Sequence, residues 1–505
     1  MKTELWSSSR ILKKKKMKRD RISNLHDDII QQILSCLPIR DAVRTRILCR
    51  KLKSKCDNLP CLVFDDQCCL WDQASTTFEC IVDHVLLFQI GSIHTFKISR
   101  KDLAAVDLDR WIYRVSKSSV KKFTLELWRG PPYNVSSSLF LCKNLVHLEL
   151  YNCVLKLPST FKGFRTLKIL YTQMVTIAQD DFEKMISCSP QLERLILCEF
   201  DGIKNLNIDA PKLQYLTVKG DFEDVDIGMN TLNLVHVSIE PQKAAPISCT
   251  NLEKFFSQLT LIENLSIEGV FLESSAGALQ DELPKPYLSL KALRLGILWN
   301  NMDEIVAAVR ILRSSPALKE LEISLCQEAE AADANANAGD TTFWLHHMLN
   351  DYQNWELTQL RLVKVSGFSG VKAEVDFIKY LLLRSPALQQ LEILAQRQYG
   401  DVRGEVSSWL DDSQVCAFNQ LRVVKASRIS GVKAEVELIR FLLLNSPVLE
   451  KMILRPLHSS GGCRLLKKLL MFRRASAQAQ IEYLHPLKLV HSYSESDSSS
   501  PSDSD

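Results

Sequence analysis

Two long segments near the C-terminal end of the chain are close copies of each other. The segment LRLVKVSGFSGVKAEVDFIKYLLLRSPALQQLEI (Leu360–Ile393) aligns without gaps on LRVVKASRISGVKAEVELIRFLLLNSPVLEKMIL (Leu421–Leu454). An internal repeat strongly constrains a fold, because each copy must bury the same apolar face against its neighbours. The chain of 505 residues is therefore expected to contain an array of similar units.

A shorter pattern, L-x-x-L-x-L, recurs through most of the chain. It begins, for example, at Leu145, Leu213 and Leu290, and the same core follows a Ser-Pro pair in SPQLERLIL (from Ser189) and SPALKELEI (from Ser315). Successive units are mostly separated by roughly 20 to 31 residues, within or just beyond the range typical of leucine-rich repeats. A generic α/β protein with leucine-rich strands is the alternative, but the ordered recurrence of the pattern disfavours it.

Each unit combines a short strand with a helix. The last positions of L-x-x-L-x-L alternate between a buried and an exposed side, which predicts a strand. A helical segment precedes several strands; in DDFEKMISCSP, Phe182, Met185 and Ile186 share one face, and Pro190 ends the helix. We therefore predict an α/β leucine-rich-repeat solenoid, with a parallel sheet on the concave side and helices outside.

The segment SNLHDDIIQQILSCLPIRDAV (Ser23–Val43) carries more apolar surface than so short an element can bury. Ser23 or Asn24 can cap a helix, with Asp27 and Asp28 in its first turn. One broad helical stripe contains Leu25, Ile29, Ile30, Ile33, Leu34 and Leu37, and Pro38 ends the helix. Asp41 can cap a second short helix, which we expect to carry Val43, Ile47 and Leu48. Such a small all-α domain is expected to lend its apolar surface to a partner.

The N-terminal segment DRISNLHDDIIQQILSCLPIRDAVRTRILCRKLKSK (Asp20–Lys55) resembles an F-box, and LPIRDAVRTRIL is especially close to plant members. The paired SGVKAEV segments resemble the FBD domain, which follows leucine-rich repeats in many plant F-box proteins. The resemblance implies the substrate-recognition subunit of an SCF-type ubiquitin ligase. Its F-box would bind a Skp-type adaptor, and through it a cullin, while its repeats would bind a protein substrate for ubiquitination.

The resemblance also implies two sets of site residues. The adaptor-binding face would comprise Leu25, Ile29, Ile30, Ile33, Leu34, Leu37, Pro38, Val43, Leu48 and Leu52. Substrate contacts are expected at solvent-facing positions of the L-x-x-L-x-L strands, for which we select His147, Glu149, Arg194, Gln214, Lys319 and Glu392.

Two positions depart from the F-box pattern. The family usually has Pro after the first Leu, where this chain has His26, and tends to have Trp where this chain has Leu52. Loss of a large aromatic anchor predicts weaker adaptor binding than in typical members. A leucine-rich-repeat scaffold or interaction protein with weakened or lost adaptor binding is therefore the alternative function.

Composition changes along the chain define its expected domains. EAEAADANANAGDTT (Glu328–Thr342) is low in large apolar residues, and SESDSSSPSDSD (Ser494–Asp505) is acidic and serine-rich. We divide the chain into a basic disordered tail (1–19), the F-box (20–60), leucine-rich repeats (61–327), a flexible insertion (328–342), C-terminal repeats with two FBD-like segments (343–456), and a tail (457–505) that is acidic and disordered at its end.

Other classes of protein find little support in the sequence. It lacks nucleotide-binding fingerprints, GFSG from Gly367 is expected to be a turn, and the adjacent His346 and His347 make a poor ligand pair. We predict a non-catalytic adaptor of the ligase complex with no catalytic residue, metal or cofactor. The sequence contains no run of about 18 apolar residues, so no membrane span is expected.

The remaining signals concern the cellular setting. The 15 cysteines form no CxxC pair and are expected to be reduced thiols of an intracellular protein. The basic run KKKKMKR (Lys13–Arg19) is interpreted as a flexible tail or a nuclear import signal. It lacks interleaved aromatic residues, which disfavours nucleic-acid binding. We expect localisation in the nucleus, the cytoplasm or both.

Overall fold

The structure is a computed structural model, and it describes residues 25–69, 77–101, 103–241, 252–268, 271–274, 286–299, 301–325, 355–396, 417–457, 469 and 471–486. The chain divides into two compact units, residues 1–169 and 170–505. Five features predicted above lie outside the described residues: the caps Ser23 and Asn24, the basic run Lys13–Arg19, the insertion 328–342, the pair His346 and His347, and the acidic segment 494–505.

The first unit begins with three short helices, α1 (Asp27–Ser35), α2 (Ile39–Arg44) and α3 (Arg50–Cys56). The N-cap of α1 is His26, whose side chain accepts a 3.5 Å hydrogen bond from the backbone N–H of Asp28. His26, and not Ser23 or Asn24 as predicted, therefore caps α1.

The second short helix differs from its predicted extent. Pro38 is its N-cap, so Asp41 lies within the first turn rather than at the cap. The helix ends at Arg44, and a separate 3₁₀ turn covers Thr45–Ile47. Val43 therefore lies on α2, whereas Ile47 and Leu48 do not, and the prediction of one helix carrying all three was wrong.

A parallel sheet follows these helices in the first unit. Its strands are β1 (Cys61–Phe64), β2 (Thr95–Arg100), β3 (Lys122–Leu127), β4 (Tyr133–Asn134) and β5 (His147–Leu155). β1, β2, β3 and β5 pair in that order, and β4 pairs with the far end of β5. Two helices, α4 (Phe78–Phe88) and α5 (Ala105–Ser116), occupy the connections between strands.

The second unit contains most of the repeats. The next strand, β6 (Ile169–Ile177), begins at the boundary between the units. It is followed by β7 (Arg194–Asp201), β8 (Asn205–Ile208), β9 (Tyr215–Lys219), β10 (Asp224–Ile227), β11 (His236–Glu240), β12 (Asn264–Glu268), β13 (Ala292–Ile297), β14 (Glu320–Leu325), β15 (Leu362–Phe368), β16 (Gln390–Ala395), β17 (Val423–Ile429), β18 (Lys451–Pro456) and β19 (Gln480–Tyr483). The helices of this unit include α6 (Gln179–Ser187), α7 (Leu252–Gln258), α8 (Met302–Arg313), α9 (Lys372–Leu383) and α10 (Lys433–Asn445).

The strands of the second unit pair in parallel in the order of the repeats. β7 pairs with β9, β9 with β11, and each strand from β11 to β19 pairs with the next, while β8 and β10 form a separate pair. The motif leucines fall in register; Leu265, Leu293 and Leu321 are neighbours on adjacent strands and are all buried. The prediction of a leucine-rich-repeat fold with a parallel sheet is confirmed.

The duplicated segments form equivalent structures, β15–α9–β16 and β17–α10–β18. In the first copy, Glu374 accepts hydrogen bonds from the backbone N–H groups of Ser369 (2.9 Å) and Gly370 (2.8 Å). In the second, Glu435 accepts from the equivalent Ser430 (2.9 Å) and Gly431 (2.7 Å). The Ser-Gly dipeptide is therefore a turn that enters a helix, and a buried glutamate satisfies its donors.

Candidate functional site

Part of the predicted adaptor-binding set forms the interior of the helical domain. Ile30, Leu34 and Leu52 are buried, with exposed fractions of 1%, 2% and 5%. Side chains this deeply buried stabilise the three helices and are not available for direct contact with a partner in this structure. Leu52 in particular is an interior residue. The presence of Leu where the F-box family tends to have Trp therefore changes the packing of the interior and does not remove an exposed anchor.

The remaining apolar residues of the predicted set are accessible to solvent. Ile29, Ile33, Leu37 and Leu48 are exposed by 45%, 43%, 37% and 68%, Pro38 is also exposed, and Leu25 and Val43 are half-buried. The sequence-based set omitted Ile47, which is 89% exposed. Ile47 could have been found from the sequence, because it is a large apolar residue directly beside the selected Leu48. It was placed on the predicted second helix but was not included among the adaptor-binding residues. A small domain that exposes this many large apolar side chains has the character of an interaction surface.

Charged contacts hold the exposed helix α1 against α3. Asp27 lies 3.2 Å from the Nζ atom of Lys51 and 2.8 Å from that of Lys55. Hydrogen bonds from Lys55 and then Lys51 lower the pKa of Asp27. Lys51 also donates a 2.7 Å hydrogen bond to the carbonyl of Leu25. These contacts fix the start of α1, so that the apolar stripe along it has a defined orientation on the domain.

A cavity of about 190 Å³ lies beside the end of α1. It is lined by apolar residues of the α1–α2 connection and by residues of the following segment, among them Leu37, Pro38, Ile39, Leu59 and Val63. The exposed Leu37 and Pro38 thus form the rim of a depression rather than a flat surface. Such a depression can receive an apolar side chain from a partner.

The predicted substrate residues of the first unit form one hydrogen-bonded group on β5. His147 bonds to Glu149, which also accepts a 2.8 Å hydrogen bond from the hydroxyl of Thr124 on β3. Lys122 lies 3.4 Å from the same carboxylate. The hydrogen bond from His147 is the main reason why the pKa of Glu149 falls to about 2. This carboxylate is ionised and already satisfied by three neighbours, and its own surroundings stabilise it.

In the second unit, the predicted residues extend over several strands. Exposed Arg194 on β7 places its guanidinium 4.4 Å from the ring centroid of Tyr215 on β9, and Tyr215 stacks on His236 of β11 at 5.8 Å. Gln214 and Lys319 are exposed and immediately precede β9 and β14. The structure thus brings Arg194, at the start of β7, close to Gln214, which precedes the neighbouring strand β9, whereas Lys319 lies further along the sheet.

Glu392 belongs to a row of alternating charges across five adjacent strands. The register places side by side Arg294, Glu322, Lys364, Glu392 and Lys425. Arg294 pairs with Glu322 at 2.9 Å, and Lys425 pairs with Glu392 at 2.7 Å. Opposite charges on neighbouring strands stabilise the pairing of the strands and give this side of the sheet a polar surface of alternating charge.

A cavity of about 310 Å³ opens on the same side of β11 to β15. Small residues, Ser238, Ser266 and Ala292, lie between larger ones, and this difference in size creates the depression. Of its lining residues, the sequence-based substrate set contained none; the omitted polar ones include His236, Asn264, Arg294, Glu320, Glu322 and Lys364. These residues occupy x positions of the L-x-x-L-x-L motif, as the selected residues do. The motif could therefore have identified them from the sequence.

Ten of the described cysteines form no disulfide bond. Burial raises the pKa of Cys142 to about 11 and that of Cys153 to about 12, so both are protonated near neutral pH. Within the described part of the chain, no group of three or more His, Cys, Asp or Glu side chains is placed to hold a metal ion. Among the described helices, none is long and apolar enough to cross a membrane.

A helical domain with an exposed apolar face, followed by a sheet of leucine-rich repeats, defines a protein of the repeat-containing interaction class. Comparisons with known families agree with this class. A family model described as the At1g61320/AtMIF1 LRR domain matches residues 88–408, the F-box domain matches residues 22–64, and FBD matches residues 415–454. The FBD match covers the second of the two duplicated segments, and the first lies within the leucine-rich-repeat match.

Relatives from Arabidopsis thaliana carry the same three domain names. The chain is 33% identical over 391 residues to the F-box/FBD/LRR-repeat protein At1g13570, covering 74% of this chain and 91% of that protein. It is 25% identical over 427 residues to the putative F-box/FBD/LRR-repeat protein At4g00315, covering 75% and 94%. The chain belongs to the family of F-box/FBD/LRR-repeat proteins.

Proposed function

We propose that this protein is the substrate-recognition subunit of an SCF-type ubiquitin ligase. Its F-box binds a Skp-type adaptor and through it a cullin, and its repeat sheet binds a protein substrate for ubiquitination. The exposed apolar stripe on α1 carries this proposal, because Ile29 and Ile33 are 45% and 43% exposed on an F-box that keeps an intact interior. Burial of such side chains stabilises a complex by ~25 cal/mol per Å² before the costs of association.

The proposed mechanism is recruitment without chemistry by this chain. Holding a substrate near a ubiquitin-charged enzyme in the same complex raises the effective concentration of the two reactants. The polar side of the repeat sheet supports a role in substrate recognition, because the charged row and the cavity of about 310 Å³ present varied chemistry at fixed positions. In this proposal the complex acts in the nucleus, the cytoplasm or both.

The burial of Leu52 favours the ligase over a scaffold that has lost adaptor binding. The substitution of Leu for the usual Trp affects the interior of the F-box, while the exposed residues Ile29, Ile33, Leu37 and Leu48 retain large apolar side chains. A scaffold that had abandoned its adaptor would have no requirement to keep this surface apolar. The exposed face therefore supports retention of the partner.

Pull-down of the tagged full chain with purified adaptor and cullin tests the proposal. We expect wild type to recover both proteins, and the double variant Ile29→Asp, Ile33→Asp to lose both while it keeps its unfolding midpoint. Val106→Asp is the control, because Val106 on α5 is 75% exposed and lies outside the F-box match. Absence of the adaptor from the wild-type pull-down, with folding verified by circular dichroism, would refute the proposed function.

A further inference from the structure

A second group of exposed apolar residues lies just beyond the F-box. Leu87 and Phe88 end helix α4 and Ile90 follows it, with exposed fractions of 68%, 41% and 81%. All three lie after residue 64, where the F-box match ends. The interior of the first unit does not account for them, because α4 buries Phe78, Val82, Val85 and Leu86 instead.

The segment after α4 is attached firmly to the end of the F-box. The carbonyl of Asp57 accepts hydrogen bonds from the N–H groups of Ile90 (2.8 Å) and Gly91 (3.2 Å). The side chain of Gln89 donates a 2.8 Å hydrogen bond to the carbonyl of Leu59. At Gly91, a Cβ atom would come within 2.9 Å of the Cα atom of Asn58, so the two backbones are in close contact. Ile90 therefore has a defined position relative to the F-box.

Arg46 connects the two apolar groups. Its guanidinium lies 4.5 Å from the ring centroid of Phe88 and forms a 3.0 Å ion pair with Asp57. The side chains of Arg46 and Asp57 are only 13% and 12% exposed. Arg46 immediately precedes Ile47 and Leu48, whose side chains are 89% and 68% exposed. A nearly buried ion pair thus holds the exposed apolar turn of the F-box beside the exposed end of α4.

We propose that the end of α4 and the F-box form one composite adaptor-binding surface, in which Leu87, Phe88 and Ile90 extend the apolar contact beyond the F-box. This inference rests on the proposed function. Exposed Arg44, Arg50 and Lys53 flank Ile47 and Leu48 in the chain. Charge complementarity therefore calls for an adaptor surface that is apolar at its centre and acidic at its edge.

The composite surface has a mechanical consequence. An adaptor that contacts both the F-box and the end of α4 is held at two places, because the segment that follows α4 is hydrogen-bonded to the end of the F-box. This arrangement limits movement of the adaptor about the F-box. Restricting that movement fixes the direction in which the first repeats leave the complex. Contacts by Leu87 and Ile90 would therefore add both affinity and orientation.

Isothermal titration calorimetry of the full chain with purified Skp-type adaptor tests the inference by measuring the dissociation constant. The double variant Leu87→Asp, Ile90→Asp is expected to raise the dissociation constant by about tenfold or more, because two exposed apolar side chains at the interface are replaced by charges. Leu87→Ala, Ile90→Ala should weaken binding by a smaller factor. The matched control Val106→Asp, Leu141→Asp changes two apolar residues of the first unit that are 75% and 60% exposed; its affinity should equal that of wild type.

The outcomes separate the inference from the proposed function. If wild type binds the adaptor and the Leu87, Ile90 variants bind with unchanged affinity, the composite surface is wrong and the proposed function stands. If wild type does not bind, both are wrong. Sedimentation of the same samples supplies a further check: variants that lose self-association while retaining full adaptor affinity would assign this patch to a second copy of the chain and overturn the inference.

Discussion

Gly370 lies directly against Ala434 of the neighbouring repeat, and a Cβ atom on Gly370 would overlap the Cβ atom of Ala434. Gly370 also has φ +79°, a backbone conformation that residues other than glycine rarely adopt. The duplicated segments are therefore packed together at a point where one of them can carry no side chain. This contact sets the spacing between α9 and α10 at their N-terminal ends.

Gly370→Ala is expected to lower the free energy of unfolding by about 1–3 kcal/mol, because it adds both backbone strain and overlap with Ala434. Chemical denaturation measures the change. Gly130→Ala is the control, since Gly130 has φ +89° but no atom within 4 Å of its added Cβ; it should lose only the backbone contribution. On the Gly370→Ala background, Ala434→Gly should recover part of the loss, and no recovery would contradict the contact.

Glu304→Gln is expected to change how stability depends on pH. Glu304 is 1% exposed, and burial raises its pKa from 4.5 to about 8. The folded state therefore favours the protonated form. Its contribution to stability is complete below pH 4.5 and decreases as pH rises to about 8. The variant cannot ionise, so denaturation between pH 5 and about 8 should show a smaller loss of stability than in wild type.

The adjacent residue provides the control for this titration. Asp303 is exposed and lies in the same turn of α8, so Asp303→Asn removes a carboxylate without removing a buried one. The stability of Asp303→Asn should decrease with rising pH to the same extent as that of wild type. Equal pH dependence in wild type and Glu304→Gln would show that the buried carboxylate does not titrate in this range.

Glu149→Gln is expected to have the opposite pH signature. The hydrogen bond from His147 is the largest cause that lowers the pKa of Glu149, from 4.5 to about 2, so the folded state favours the ionised form. Its contribution to stability is present above pH 4.5 and is lost as pH falls towards about 2. Acid unfolding of wild type should therefore be steeper across this interval than that of the variant. Glu223→Gln, at an exposed site, should leave the wild-type slope unchanged.

Leu52→Trp tests whether position 52 acts through packing or through direct contact. Because Leu52 is 5% exposed, the larger ring should overfill the F-box interior and lower the free energy of unfolding by about 1–3 kcal/mol. Adaptor affinity, measured where both proteins are folded, should not increase. Leu48→Trp is the control at a 68% exposed site and should leave stability nearly unchanged. Tighter adaptor binding by Leu52→Trp would instead support the role of a direct anchor.

The sequence predicted the F-box residues as one apolar set, whereas the structure separates that set into two. Ile29 and Ile30 are neighbours in the chain, yet one is 45% exposed and the other 1%. A helical stripe identifies which residues are apolar on a common side, but packing of α3 against α1 determines which part of that side is covered. The same reason explains why Leu52 appeared to be a missing anchor and is an interior residue.

Alternation of leucines with polar residues was sufficient to predict the parallel repeat sheet, because the period of two along each strand and the repeat length are properties of the chain itself. The resemblance to an F-box was likewise contained in the residues of the segment Asp20–Lys55. The positions of Arg46 between Phe88 and Asp57, and of Glu392 in a charged row, were not. Those relationships join residues that are brought together only when separate elements pack, and tertiary structure alone decides them.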